Sequence, residues 1–147
     1  MHVNVKDELL NHLKLYGIEL FHDEEYWRWG GELLERNLEQ SIMNEYIMMF
    51  ENMQYISFEE KLYFYDLVSS YTTLTKVAHS MKTSAIMASC LAVLKEIDYS
   101  SHILDIGCNS GYLTSFYAKK FPNSNITGVD VSLPSIKLAR KYGEKYK

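Results

Sequence analysis

From the amino terminus to about residue 97, apolar residues recur at helical spacing. Val5, Leu9, Leu10, Leu13 and Tyr16 fall on one side of a first helix, which Gly17 is placed to end. Asp23, Glu24 and Glu25 put negative charge into the first turn of a second helix, where the helix dipole favours it, and Gly30-Gly31 are expected to kink or interrupt that helix. Ile42, Met43, Tyr46, Met49, Phe50 and Met53 make a third stripe. Ser57 and Glu60 stand at capping-box spacing and open a fourth helix into KLYFYDLV. Ile86, Cys90, Val93, Leu94 and Ile97 give a last helix before the rhythm changes.

After residue 98 the pattern reads strand, loop, helix, strand, helix. His102 to Ile106 is a short β-branched and apolar run without polar alternation, as expected of a strand covered on both faces. GCNSG follows as a loop, Tyr112 to Phe121 as a helix stopped by Pro122, and Ile126 to Val131 as a second strand. Pro134 suits the first turn of a last helix, SIKLARKYGEKY. This order predicts parallel strands joined by a right-handed crossover.

Composition narrows the class. A chain of 147 residues, 47% apolar and 23% charged, has the makings of a globular fold with a real core. The formal net charge of -4 gives no general attraction to nucleic acid or anionic lipid. The start lacks the apolar stretch of a secretory signal, and the run from Ala85 to Leu94 is too short to span a bilayer. Cys90 and Cys108 occupy unrelated contexts, so no disulfide framework is expected and the cytoplasm is the default compartment.

The candidate chemistry sits at the second transition. Ligands of open parallel sheets bind beyond the carboxyl ends of the strands, where Asp105 to Gly111 lies. Gly107 allows a sharp turn and a close approach of backbone to ligand. Gly111 stands where the helix opens, so that free N–H groups there can hold a carboxylate. Asp130 ends the second strand, where it can accept both hydroxyls of a ribose. A dinucleotide fingerprint, G-x-G-x-x-G, is not matched, because bulky Tyr112 takes the third glycine slot. The stretch Asp105-Ile-Gly107-Cys-Asn109-Ser-Gly111 instead resembles motif I of the class I S-adenosylmethionine-dependent methyltransferases, with Asn109 in place of the middle glycine. Asparagine tolerates positive φ better than most residues.

That resemblance covers about residues 100–146. It implies that S-adenosylmethionine is held by Asp105, Gly107, Cys108, Asn109, Gly111, Tyr112, Asp130 and Val131. Asp105, Gly107 and Gly111 would meet the methionine end, Asp130 the ribose, and Val131 the adenine. The implied fold class is α/β: a helical region, residues 1–98, followed over residues 99–147 by the first β-α-β-α unit of a Rossmann-like methyltransferase domain with an incomplete sheet. The implied function is methyl transfer to an unidentified acceptor. The strands that carry acceptor-binding residues in this family would lie further along, so the chain is expected to be an amino-terminal part of a longer enzyme and inactive alone, with its catalytic residues outside this sequence. Bare strand edges are sticky, and a second copy is expected to cover the open edges or the exposed sheet face, or to join through the helices, making a homo-oligomer.

The other concentrations of chemistry are weaker. EYIMMFENMQYISF offers methionines and aromatics for an adaptable acceptor site, but helical spacing favours core. Trp27, Arg28 and Trp29 suit stacking, yet the acids beside them oppose phosphate, so nucleic acid is disfavoured and packing or a protein interface preferred. Tyr71-Thr72-Thr73 reads as an interhelical loop, with a lid as the alternative. His12, His22, His79 and His102 have no metal-ligand spacing, and surface or capping roles are expected. Lys137, Arg140, Lys141, Lys145 and Lys147 read as a solvated helix face. The rival functions are a non-catalytic helical interaction or oligomerisation module that keeps a remnant of the loop, and a nucleotide-dependent oxidoreductase, which Tyr112 disfavours.

Overall fold

The structure is a computed structural model and describes residues 4–21, 23–81, 83–97 and 102–145. Six helices come first: α1 (Val5–Leu15), α2 (Asp23–Asn37), α3 (Gln40–Glu51), α4 (Phe58–Ser70), α5 (Thr72–Met81) and α6 (Thr83–Glu96). They are followed by β1 (His102–Ile106), α7 (Tyr112–Lys120), β2 (Asn125–Val129) and α8 (Leu133–Lys145). The expected boundary at residues 98 and 99, like His22 and Lys147, lies outside the described residues.

The local punctuation is largely as the sequence writes it. Gly17, at φ 71°, closes α1 with the Ile18 N–H reaching the Leu13 carbonyl and the Gly17 N–H reaching that of Lys14, a Schellman motif. At the start of α4 the Glu60 N–H donates to Ser57 Oγ and the Ser57 N–H to Glu60 Oε2, so the capping box is present. Two expectations need correction. Gly30-Gly31 do not interrupt α2, which runs unbroken through both, and a Cβ at Gly30 would make only ordinary contact with Val77 Cγ1, at 3.6 Å. Thr72 and Thr73 are not loop but the first turn of α5, and Tyr71 alone separates α4 from α5.

Two cores hold these elements. One lies among α2, α3, α4 and α5, with Tyr26, Leu34, Tyr46, Met49, Phe64, Leu67 and Leu74 buried in it. It absorbs much of the methionine and aromatic stretch, although Met48 and Tyr55 stay exposed. Of the two tryptophans, Trp29 stacks on Phe21 while Trp27 remains exposed. The second core joins Leu9, Leu13, Tyr16 and Ile18 from the first helix and its turn to Cys90 of α6, to Phe116 and Tyr117 of α7 and to Phe121 that caps it. Helical region and βαβα unit therefore share a core.

β1 and β2 pair in parallel, Ile103 opposite Ile126 and Asp105 opposite Gly128. Ile126 packs into the second core, on the face that α7 covers. The opposite face is bare among the described residues, with Leu104 58% and Ile106 79% exposed. The expectation of a strand covered on both faces is therefore not met: the apolar pattern is written for a cover that the described residues do not supply.

Candidate functional site

The loop leaving β1 is shaped by three positive φ angles. Gly107 (76°), Asn109 (52°) and Gly111 (74°) alternate with residues of ordinary backbone, so the chain turns tightly and delivers Gly111 as the cap of α7. Asn109 thus occupies the left-handed conformation that a glycine would otherwise fill. The loop is tied to the neighbouring strand: the N–H groups of Gly107 and Cys108 both donate to the Val129 carbonyl, at 2.8 and 3.0 Å.

Asp130 completes this connection. Its Oδ2 accepts from the Asn109 N–H at 2.9 Å, and its Oδ1 from the Ser132 N–H at 2.8 Å. One carboxylate thereby joins the loop after β1 to the loop after β2. Ser132 Oγ in turn accepts from the Ser135 N–H, opening α8. Gly107 and Asp130 lie side by side at the carboxyl ends of adjacent strands.

Beyond those ends is a cavity of about 550 Å³, lined by Ile106, Gly107, Asn109, Tyr112, Val129, Asp130 and Val131, together with Tyr65, His79 and Ser135. Five of the eight residues singled out in the sequence, Gly107, Asn109, Tyr112, Asp130 and Val131, thus face one space. The other three point elsewhere. Cys108 and Gly111 line a separate depression between α7 and α8. The Cys108 side chain turns towards Gly128, and burial, with Asp105 and Asp130 nearby, pushes its thiol up to about 11. The Asp105 carboxylate accepts a hydrogen bond from the Thr114 hydroxyl of α7, and so braces the loop from below. Burial, with Asp105 adding to it, likewise holds the Tyr112 phenol near 12, so it is neutral and keeps its proton at ordinary pH.

Sequence reasoning missed Tyr65, His79 and Ser135. Of the surface or capping roles expected for the histidines, the surface one is not met at His12 and His79, which are both buried. His12 Nε2 lies 2.7 Å from the Tyr112 carbonyl and 3.1 Å from Ser115 Oγ, which ties α1 to the first turn of α7. His79 packs its ring against Tyr112, with centroids 4.9 Å apart. Neither role carries a spacing signal, because each depends on elements far apart in sequence. Tyr71 and Thr72-Thr73, the alternative lid, do not line the cavity.

A parallel strand–helix–strand with a glycine bend and a bridging acid defines a Rossmann-like ligand-binding unit. The comparisons with known proteins make the class specific. The family model for a methyltransferase domain matches residues 104–147. Malonyl-[acyl-carrier protein] O-methyltransferase of Priestia megaterium is 56% identical over 39 residues, 26% of this chain and 14% of that protein. The protein of that name from Bacillus cereus is 39% identical over 69 residues, 44% of this chain and 22% of its own length. Trans-aconitate 2-methyltransferase of Paracidovorax citrulli is 38% identical over 42 residues, 29% of this chain and 16% of the relative. The βαβα portion of the chain is therefore similar to the class I S-adenosylmethionine-dependent methyltransferases. The chain spans between 14% and 22% of the length of these curated relatives. No solved structure matches it. Among the described residues, no single helix is long and apolar enough to cross a membrane.

Proposed function

We propose that the cavity beyond β1 and β2 holds S-adenosylmethionine, and that the protein takes part in transferring its methyl group to an acceptor. The observation that carries this reading is the bridge made by Asp130 between the two loops, beside an open glycine. A Cβ placed on Gly107 would meet nothing within 4 Å, so ligand atoms can lie against the backbone there. A carboxylate has about four lone-pair sites, and the backbone uses one on each Asp130 oxygen, which leaves acceptor capacity for the two hydroxyls of a ribose. The cavity volume is in the range of small-molecule sites.

In this reading Asp130 holds the ribose, exposed Val131 flanks the adenine, and Gly107, Asn109 and Tyr112 form the floor for the amino-acid end. Asp105 and Gly111 shape the loop from behind. When bound, the sulfonium supplies an electrophilic methyl group for in-line displacement, a reaction whose rate comes largely from positioning. These residues do the holding; the described residues alone are expected to bind without turnover. The acceptor is unidentified. The family match takes in the cofactor loop, and the relatives are named for different acceptors, so those names do not carry over.

Residues 1–98 act as the covering and wall-building region, and residues 99–147 as the start of the cofactor domain. A second copy covers the bare sheet face, which predicts a concentration-dependent dimer in sedimentation; a monomer at high concentration would refute that. The proposed setting is the cytoplasm, where Cys90 and Cys108 stay reduced. The test of the cofactor reading is titration with S-adenosylhomocysteine and, separately, with NAD. Saturable binding of the first, weakened by Asp130→Ala, is the expected result; binding of NAD in preference would overturn it.

A further inference from the structure

The cavity has two ends, and the helical region supplies a side chain to each. At the α7 end, His79 of α5 packs on Tyr112, beside Gly107 and Asn109. At the α8 end, Ser135 stands near Asp130 and Val131, and its hydroxyl is 2.6 Å from that of Ser69 in α4. Tyr65 lies one turn before Ser69, on the same face of α4, and reaches this end of the cavity.

Resting on the cofactor reading above, we propose that α4 and α5 are ligand-binding elements: His79 meets the carboxylate of the amino-acid end, and Tyr65 covers the adenosine end. The ribose assignment sorts the two ends. Asp130 takes the ribose in that reading, so the amino-acid end lies towards Tyr112 and the amino-terminal turn of α7, where the helix dipole favours a carboxylate. Among the described residues, no lysine or arginine lines the cavity. Neutral donors must serve, and an imidazole carries an N–H in either tautomer. At the other end an adenine presents a π-face, which the half-exposed Tyr65 ring can cover.

Two ligands separate the ends. S-adenosylhomocysteine and 5′-methylthioadenosine share the adenosine and the thioether, but only the first has an amino-acid end. The full chain is titrated with both. His79→Phe keeps a ring against Tyr112 and removes the N–H; it is expected to weaken S-adenosylhomocysteine by about tenfold or more, the loss of a hydrogen bond to a charged group, and to leave 5′-methylthioadenosine unchanged. His79→Gln, which keeps a donor, is expected to restore most of that loss. Tyr65→Ala is expected to weaken both ligands by about fivefold to tenfold. In the unaltered protein, the His79 imidazole resonances should shift with S-adenosylhomocysteine and stay in place with 5′-methylthioadenosine, which covers the case that a variant fails to fold. An equal effect of His79→Phe on both ligands, or equal resonance shifts, overturns the proposal and leaves the cofactor reading standing. If the unaltered protein binds neither ligand, the cofactor reading falls and this proposal with it.

Discussion

Replacing Asp130 by alanine tests the structure and the function together, and the two effects can be separated. The carboxylate accepts two backbone N–H groups, from Asn109 at 2.9 Å and Ser132 at 2.8 Å. Hydrogen bonds to charged groups contribute roughly 1.5–3 kcal/mol when well buried. Asp130 is half-buried and water can replace it in part, so about 1 kcal/mol for each bond is the more suitable figure. A total near 2 kcal/mol lowers the melting temperature of a chain of this size by roughly 4–8 °C. Asp130→Asn keeps one acceptor oxygen for one of the two N–H groups and sets an amide NH2 against the other, so its fall should be about half as large. Binding should respond differently. A neutral amide is a weaker acceptor for both ribose hydroxyls, and both variants should bind S-adenosylhomocysteine at least about tenfold more weakly. Thermal melts followed by circular dichroism, with calorimetric titration of the same samples, measure the pair. If Asp130→Asn bound the ligand as tightly as the unaltered chain, the ribose assignment would be wrong. If Asp130→Ala left the melting temperature unchanged, the bridge between the loops would not exist in solution.

His12 should make stability depend on pH. Burial, and secondarily the charge of Lys119, holds its pKa below 6.5, against the opposing effect of the Tyr112 carbonyl. The unfolded chain therefore takes up this proton first as pH falls. The His12 contribution is full above 6.5 and is lost as pH drops through 6.5 towards the lower, folded value. Melting temperatures at pH 7.5 and 5.5 should differ less in His12→Gln than in the unaltered chain; an identical difference would refute the assignment. Two glycines should also part company. A Cβ at Gly128 would come within 2.9 Å of Cys108 Cβ and 3.0 Å of Thr114 Oγ1, so Gly128→Ala should cost about 1–3 kcal/mol of stability by overpacking. Gly107→Ala meets open space and should cost only about 1–2 kcal/mol for its positive φ, while its methyl group obstructs ligand binding. Denaturant unfolding and titration of the two variants would check the contrast.

The glycine loop was legible because its demands are local. Positive φ at Gly107, Asn109 and Gly111 is a backbone requirement that residue type announces at the position itself. The same holds for Gly17 and for the Ser57–Glu60 box. α5 was not legible. TTLTKVAHSM is rich in β-branched residues, which lowers helix propensity, and packing against α2 and α4 makes it a helix. Gly30 misled for a related reason, since α2 packs against α3 and α5 and continues through both glycines. Within the loop, spacing could not reveal that Cys108 turns down onto Gly128 while its neighbours face the cavity. Tyr65 and His79 reach the site only through the docking of α4 and α5, which leaves no mark on any short stretch of sequence.

The docking of α1 and α4 falls on the two helices that begin at the site. His12 holds the Tyr112 carbonyl and the Ser115 hydroxyl in the first turn of α7, and the Tyr16 hydroxyl meets the same serine. Ser69 holds Ser135 in the first turn of α8, one turn from Asp130. Each helix is thus gripped at its amino-terminal end, where its cap forms part of a ligand loop, as well as further along, through Phe116 and Lys120 of α7 and Tyr142 of α8. A helix fixed there cannot tilt without moving Gly111 or Ser132, and each of those is bonded into the loop network through Cys108 or Asp130. α1 and α4 therefore do more than fill space beside a two-stranded sheet. They set the position of both loops, so a change at Ser115 or Ser69, remote from any ligand atom, should disturb the ligand seat as well as the core.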